Sequence, residues 1–225
     1  MSERVKIILD KNADILRLPA IALRGLVVFP GNIIHFEVGR KKSIAAIEWA
    51  MSNNNAVFLT AQQDMDVEDP GFKDLYAYGV VAEVKQVLRV SDELVKVLVE
   101  GKYRAKLLTL DSSGRFLLAS TKAAALRGTK SVDSARMEAL VRSVKEVFEE
   151  YLSLNPRLSK DVVYTIITNE DAALLCDYIP ANLLLKYTDK QALLNEGTVS
   201  GRLEKLLEIL RRETKILHIE KDIQS

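Results

Sequence analysis

The spacing of apolar residues changes once along this chain, and that change constrains the fold more than any single motif. From Leu18 to Leu126 apolar side chains mostly recur at every second residue, which is typical of strands. From Met137 onward they recur at steps of three and four residues, which is typical of amphipathic helices. We therefore predict an α+β protein: an antiparallel β-rich domain over residues 1–127, a boundary at GTKSVD (128–133), and an all-α helical bundle over residues 128–225 that ends in a long helix.

The β-rich domain is predicted to contain an antiparallel meander. Its three strands lie within residues 78–90, 94–110 and 115–126 and are joined by the polar turns SDE and DSSG. Two further strands are predicted at 33–38 and 56–62, with one helix embedded between them that the asparagines 53–55 end. Alternation in the first meander strand places one set of apolar side chains on its buried face: Val80, Ala82, Val84, Leu88 and Val90.

Start and stop signals divide the helical half. A long helix is predicted to stop before Asn155-Pro156, and Ser159 is predicted to cap the next helix. Thr168 or Asn169 can cap another helix, which Pro180 closes. A short fourth helix is predicted from the capping-box spacing of Thr188 and Gln191, and it ends near Gly197.

The last helix, from about Ser200, carries two apolar stripes that are predicted to need partners. Its C-terminal end has neither a glycine cap nor a proline stop, so either the helix frays or the sequence is a piece of a longer protein. The second interpretation is favoured because the pattern continues almost to the last residue. The two stripes are Leu203, Leu206, Leu207, Leu210 and Leu217, and Ile209, Ile216, Ile219 and Ile223.

Composition argues against several classes of function. The net charge is +1 in 225 residues, so bulk charge indicates neither a nucleic-acid nor a membrane surface. The single cysteine excludes an internal disulfide and favours a cytoplasmic location. The charged N-terminus lacks the core of a signal peptide, and the apolar runs are far shorter than the ~20 residues of a membrane span.

Chemistry-bearing motifs are absent from the sequence. It contains no phosphate loop, and its two histidines, His35 and His218, are predicted to be solvated and lack zinc-site spacing. Cys176 lies among small and apolar residues and is predicted to be buried. The acidic segment around Asp66 matches no calcium-loop pattern. The basic run that starts at Arg40 begins a helix, which hints at a nearby anion or acidic partner. We therefore assign no catalytic, cofactor or metal-binding residue and favour a binding or docking module.

Four blocks together resemble a known family. LPAIALRGLVVFPG (18–31), VGRKKSIAAIEWAM (38–51), DLYAYGVVAEVKQVLRV (74–90) and LVKVLVEGKYRAKLL (94–108) are similar to the N-terminal domain of Lon, the ATP-dependent protease of the AAA+ class. The similarity continues more weakly over residues 187–223. It implies a PUA-like pseudo-barrel in the β-rich domain. It also implies that the ATP and Mg²⁺ site and the Ser-Lys dyad of the parent serine endopeptidase lie in modules with no counterpart here.

The resemblance further implies a non-catalytic role: recognition of unfolded or tagged protein substrates and assembly of a Lon homohexamer in protein quality control. Some PUA-like barrels bind RNA, so a stand-alone nucleic-acid-binding or protein-docking module is the alternative. One departure is Ala22, where the family usually has proline, and we expect the strand edge to pair differently there. Arg24 is expected to make a salt bridge or backbone contact, with substrate contact as the alternative. The candidate partner-binding residues are Arg24, Phe29, Leu210, Ile216, Leu217 and Ile223.

Overall fold

The computed structural model describes residues 15–128 and 134–224. The N-terminal segment before Ile15 and most of the GTKSVD segment lie outside the described residues. Two compact units are present, and each is described by itself below. The first unit ends at Ala125 and the second unit begins at Leu126.

The first unit contains six strands and one α-helix among its described residues, with a single 3-10 turn at Phe72–Asp74. The predicted strand at 33–38 and the helix that follows it are both confirmed. Asn55 ends the loop after the helix with a φ of 60°, the left-handed conformation that asparagine tolerates. The elements are β1 Leu16–Leu23, β2 Ile33–Val38, α1 Lys41–Asn53, β3 Ala56–Ala61, β4 Tyr78–Arg89, β5 Val95–Asp111 and β6 Leu117–Ala123.

The strands form one sheet that closes on itself. Their order is β2-β5-β4-β3-β1-β6, and β6 pairs with β5 as well, so that β1, β3, β4, β5 and β6 complete a barrel. β2 is attached to the edge of β5 outside that ring. The pairing is antiparallel except between β1 and β3, which run parallel. A parallel pair needs a crossover, and the connection through β2 and α1 supplies it.

The barrel interior is filled by small and branched side chains. Phe58 and Ala105 are fully buried there, and Ala46 and Ala50 of α1 are buried where the helix packs on β1 and β3. Small residues in α1 bring the helix close to the sheet. The barrel cluster comprises Leu18, Ala20, Ala22, Phe58, Leu75, Val81, Tyr103, Ala105, Leu107, Leu117 and Ala119.

A β-bulge in β4 overturns part of the predicted burial pattern. Val84 pairs with Val99 and Gln86 pairs with Leu98, so Lys85 is the extra residue. One inserted residue moves every later side chain to the opposite face. Leu88 is consequently 61% exposed and Val90 is 52% exposed, although the alternation placed both on the buried face.

A second irregularity in the β4–β5 pairing lies beside Gly101, where Lys102 is the extra residue. Gly101 exchanges backbone hydrogen bonds with the segment before β2: its carbonyl accepts from Gly31 at 2.8 Å and its N–H donates to Asn32 at 2.9 Å. A Cβ at this position would lie 2.2 Å from the Phe29 carbonyl oxygen. Arg104, further along β5, is buried over the Tyr78 ring and donates to Ala124 O at 2.9 Å.

The described part of the second unit contains five helices and one isolated β-bridge, between Arg127 and Thr198. Ser159 caps its helix as predicted, by accepting from the Val162 N–H. The next cap is Asp171 rather than Thr168 or Asn169, because its carboxylate accepts from two backbone N–H groups. Pro180 lies inside that helix, which continues to Asn182. The helices are α2 Ser134–Leu154, α3 Lys160–Thr168, α4 Ala172–Asn182, α5 Tyr187–Asn195 and α6 Val199–Gln224.

The capping box predicted for α5 is wrong. Lys186 is the N-cap residue, so Thr188 lies inside the helix. Gln191 is buried and donates to the Asn195 side chain at 2.8 Å.

The leucine stripe of α6 is covered along its first half, because α6 packs against α2 and more lightly against α4 and α5. Leu203, Leu206 and Leu210 are fully buried, and Leu207 and Ile209 are nearly so. The expectation that both stripes lack partners is therefore wrong for this half. It holds for the second half, where Ile216, Ile219 and Ile223 are exposed and Leu217 is half-buried.

An arginine lies at the centre of the helical unit. Arg202 is fully buried, is paired with Asp177, and donates to Leu194 O at 3.3 Å and Glu196 O at 3.0 Å. A buried guanidinium is tolerated only when a counter-charge and acceptors surround it. These bonds tie α6 to α4 and to the end of α5.

Candidate functional site

An apolar line crosses the outer face of the β2–β5–β4 portion of the sheet. Ile33 of β2 pairs with Glu100 of β5, and Leu88 of β4 pairs with Lys96 of β5. Leu98 lies two residues from each of these β5 positions, so Ile33, Leu98 and Leu88 follow a diagonal on one face of the sheet. Val90 continues the line beyond the strand end. Ile33 is 63% exposed, whereas Leu98 is half-buried. With strands about 4.8 Å apart and a rise of about 3.3 Å per residue, the diagonal spans roughly 15–20 Å. We call these four residues the apolar diagonal.

Four charged residues border one end of the apolar diagonal. Glu100 contacts Lys85 at 2.9 Å and Lys102 at 2.8 Å, and Glu83 contacts each lysine at 3.1 Å. Hydrogen bonds from Lys102 and Lys85 lower the pKa of Glu100. Burial alone would raise the pKa of Glu83, but the same two lysines outweigh it and the pKa is lowered. The cluster is electrically balanced, so it frames the apolar line without giving it a net charge.

A cleft of about 340 Å³ lies between β1 and β2 in the same unit. Arg24 is exposed at its edge and donates to Val67 O at 3.4 Å, so the predicted backbone contact exists. Phe29, the other candidate of this unit, is fully buried. Its side chain belongs to the core and is not accessible to a partner. The prediction that Phe29 contacts a partner is therefore wrong.

The candidates on α6 separate into two groups. Leu210 is fully buried within the helical unit. The prediction that it contacts a partner is therefore wrong as well. Ile216 is 40% exposed and Ile223 is 78% exposed. Leu217 lines a polar surface groove of about 550 Å³ together with Asn155 and Lys221.

The remaining chemistry-bearing residues are structural or solvated. Cys176 is buried, and burial followed by the Asp177 charge raises its pKa to about 12, so the thiol is not a nucleophile at neutral pH. His218 lies 2.9 Å from Glu150 at the surface. Within residues 15–128 and 134–224, no cluster of ligating side chains could hold a metal ion.

The acidic partner expected for the basic run at the start of α1 is a loop of the same chain. Lys42 contacts Asp69 at 3.1 Å, and Arg40 donates to the Glu68 carbonyl oxygen at 3.2 Å. The loop around Asp66 is therefore bound to the start of α1 by an ion pair and a hydrogen bond. Separately, none of the described helices has the length and apolarity that a membrane crossing requires.

The fold is that of solved Lon protease N-terminal domains. The N-terminal domain of the Mycobacterium avium complex Lon protease superposes with a TM-score of 0.69 at 20% identity, covering 87% of this chain and 98% of that one. The Lon N-terminal domain protein from Xanthomonas campestris gives a TM-score of 0.59 at 15% identity, covering 86% and 98%. At these identities the likeness concerns the fold alone.

The sequence is similar to complete Lon proteases over nearly its whole length. Lon protease of Desulforamulus reducens is 37% identical over 212 residues, which are 94% of this chain and 26% of that protein. Lon protease of Escherichia coli K12 is 36% identical over 215 residues, 96% of this chain and 27% of that protein. Residues 17–212 match the model of the ATP-dependent protease La (LON) substrate-binding domain. The chain belongs to this family, and it spans about a quarter of the length of the relatives it matches.

Sequence reasoning missed the apolar diagonal and its charged border. Strict alternation places Leu88 and Val90 in the core because it does not allow for the extra residue of the bulge at Lys85. One signal was present: Lys85 and Gln86 are consecutive polar residues between Val84 and Val87, which breaks period two. Nothing comparable in the sequence indicates that four charges from two strands meet on one face.

Proposed function

We propose that this chain is the substrate-recruiting and oligomerising region of an ATP-dependent Lon protease, and that it binds exposed apolar segments of unfolded or tagged proteins. The observation that carries the proposal is the apolar diagonal. Ile33, Leu88 and Val90 are each more than half exposed on one sheet face, where monomeric proteins usually place polar residues. Membership of a substrate-binding domain family supports the same role.

The energetics favour weak, reversible capture. Two or three apolar side chains gain roughly 3–9 kcal/mol on burial, and association costs of at least ~4 kcal/mol offset most of this gain. A single domain is then expected to bind with a dissociation constant between about micromolar and millimolar. In a hexamer, neighbouring copies raise the effective concentration of the segment while each contact still releases it.

The test is the binding of a fluorescent unfolded polypeptide to the chain and to two variants. We expect the double substitution Ile33→Ser and Leu88→Ser to weaken binding by about 10-fold or more, because two apolar contacts are lost. The control is Leu184→Ser, since Leu184 is 75% exposed in the helical unit. Equal loss in the control, or no loss in the double variant, would exclude the diagonal as the binding surface.

Assembly is assigned to the exposed end of α6. Ile216, Ile219 and Ile223 lie at intervals of three and four residues on the exposed end of the helix. We expect other Lon subunits to cover this stripe in a cytoplasmic homohexamer. Light scattering of the chain against an Ile216→Ser, Ile223→Ser variant tests it: association that persists in the variant would place the assembly surface elsewhere.

The nucleic-acid alternative gains no support from the outer sheet face. Lys85 and Lys102 each contact two carboxylates, and Lys96 lies 3.7 Å from Glu37. Phosphate contacts need cations that are free to replace counterions. An electrophoretic shift of single- or double-stranded nucleic acid at low salt would favour the alternative.

A further inference from the structure

The cleft between β1 and β2 is bordered by two strand edges that face one another. β2 pairs only with β5 within the described part of the chain, so its other edge is open. β1 pairs with β6 over Leu16–Ala20, and its last residues pair only with β3 on the other side. Between β2 and the end of β1 the described residues thus leave strand edges unpaired, and an extended segment can add to such edges as a further strand.

Ala22 directs its backbone into this cleft. Its carbonyl oxygen accepts from Arg40 at 2.6 Å, whereas the neighbouring Leu23 carbonyl accepts from Gln62 of the β3 side. An extended residue points its N–H and C=O to the same side, so the Ala22 N–H also faces the cleft. It is a donor that a proline at this position would lack.

One end of the cleft is built for a negative charge. The first backbone hydrogen bond of α1 runs from Ile44 to Arg40, which leaves the preceding N–H groups outside the helical ladder. The first turn contains no acidic residue, and Arg40 as N-cap makes no side-chain cap. Ser43 lines the cleft, is only 7% exposed, and its hydroxyl has no hydrogen-bond partner among residues 15–128 and 134–224. Ser43 is a buried residue whose unpartnered hydroxyl stays accessible in the cleft, and this is the second feature that points to a ligand.

The charges around this end suit a single negative charge. Arg40 already donates to Ala22 O and Glu68 O, and Glu37 of the lining has its carboxylate 3.7 Å from Lys96. Burial and then the neighbouring Arg24 guanidinium lower the pKa of Arg40, and the Asp69 carboxylate offsets only part of this effect. An anion between the two guanidinium groups would offset their repulsion. Arg24 is the more exposed of the two, and its hydrogen bond to Val67 O among the described residues is long, at 3.4 Å.

The walls behind the charged end are apolar. Leu26 and Phe36 are half-buried in the lining, and Ile21, Leu23 and Val38 lie beneath them. A phosphate monoester, with nearly two negative charges, would gain little binding free energy from contact with these apolar walls. A carboxylate attached directly to an apolar residue matches both features.

We propose that this cleft binds the C-terminal carboxylate of an extended peptide whose last side chain is apolar. The carboxylate contacts the Ser43 hydroxyl, the start of α1 and Arg24. The peptide backbone accepts from the Ala22 N–H, because the Ala22 carbonyl oxygen is already bonded to Arg40. The last side chain contacts Leu26 and Phe36. The inference rests on the proposed function, because it defines one kind of polypeptide end that the domain recognises.

The test compares two fluorescent peptides of one sequence that end in leucine, one with a free C-terminal acid and one with an amide. With the whole chain, we expect the acid to bind about 10-fold more tightly. Arg24→Gln, at an exposed site, is expected to reduce this preference several-fold, and Ser43→Asp to remove it by placing a carboxylate in the site. Lys73→Gln is the control, because it removes the same charge from an exposed residue outside the cleft.

Each outcome decides something. Equal affinity for acid and amide overturns the cleft site but leaves the apolar diagonal intact, provided that the Ile33→Ser, Leu88→Ser variant still weakens both peptides. Absence of binding by either peptide overturns the proposed function as well. Loss of the acid preference in inorganic phosphate, but not in acetate at equal ionic strength, assigns the site to phosphate and overturns the carboxylate. If Ser43→Asp fails to fold by circular dichroism, Arg24→Gln carries the comparison.

Discussion

The Arg40 guanidinium donates to the Ala22 carbonyl oxygen at 2.6 Å, and it thereby occupies the edge of β1 where a neighbouring strand would otherwise lie. The same guanidinium donates to Glu68 O at 3.2 Å. One side chain at the start of α1 therefore holds a strand edge and a surface loop.

Arg40→Gln is expected to destabilise the first unit by about 1–3 kcal/mol, because two backbone carbonyls lose a charged donor. The measurement is the free energy of unfolding by urea, followed by tryptophan fluorescence. Lys41→Gln is the matched control at the adjacent, exposed position. An unchanged midpoint for Arg40→Gln would show that the guanidinium does not hold the edge.

Gly101→Ala is expected to destabilise the first unit by about 2–4 kcal/mol or to prevent its folding, because its Cβ would lie 2.2 Å from the Phe29 carbonyl oxygen. At Gly114 the nearest atom to an added Cβ is 3.9 Å away, so Gly114→Ala is expected to change stability by less than about 0.5 kcal/mol. Thermal unfolding of both variants checks the difference. Equal melting temperatures would contradict the close approach of the β5 bulge to Phe29.

Asp177→Ala is expected to destabilise the helical unit by about 3–5 kcal/mol, since it leaves the fully buried Arg202 guanidinium without its counter-charge. Glu138→Ala removes the partner of the exposed Arg142 and is expected to cost less than about 1 kcal/mol. Helical circular dichroism during denaturation measures both. A small loss for Asp177→Ala would mean that Arg202 is satisfied by Leu194 and Glu196 alone.

The charged border of the apolar diagonal makes stability depend on pH. The pKa of Glu100 is lowered in the folded chain from the ordinary 4.5. Its contribution is thus complete above that value and is lost as pH falls through the lower folded-state pKa. We expect the free energy of unfolding to drop on acidification below about pH 4.5 and to drop less steeply in Glu100→Gln. Identical pH profiles would remove the cluster as a source of stability.

Local signals in the sequence predicted most of the elements, whereas the errors arose from helix caps, a β-bulge and one long-range pairing. The asparagines 53–55 could be identified as the end of α1, because tolerance of the left-handed conformation is a property of single residues, and Asn55 adopts it. The parallel pairing of β1 with β3 was missed, since it depends on a crossover that spans β2 and α1. Whether Asp171 or Asn169 caps α4 depends on where α3 releases the chain, which spacing alone does not fix.

The candidate site was predictable only in part. Arg24 was identified through a resemblance, and Ile216 and Ile223 through helical spacing that left them uncovered. Phe29 and Leu210 were wrong because hydrophobicity does not reveal whether a neighbour covers a side chain. The apolar diagonal depends on the bulge at Lys85, and the β1–β2 cleft depends on how the barrel closes.

The most direct test of the central claim is to map, by NMR of the isotope-labelled chain, which residues respond as an unlabelled unfolded protein is added. The account predicts that the methyl signals of Ile33, Leu88, Val90 and Leu98 shift progressively and saturate together. Those of buried Leu206 and exposed Leu184 are expected to stay in place. Shifts confined to the helical unit, or none at a millimolar concentration of the unfolded protein, would contradict it.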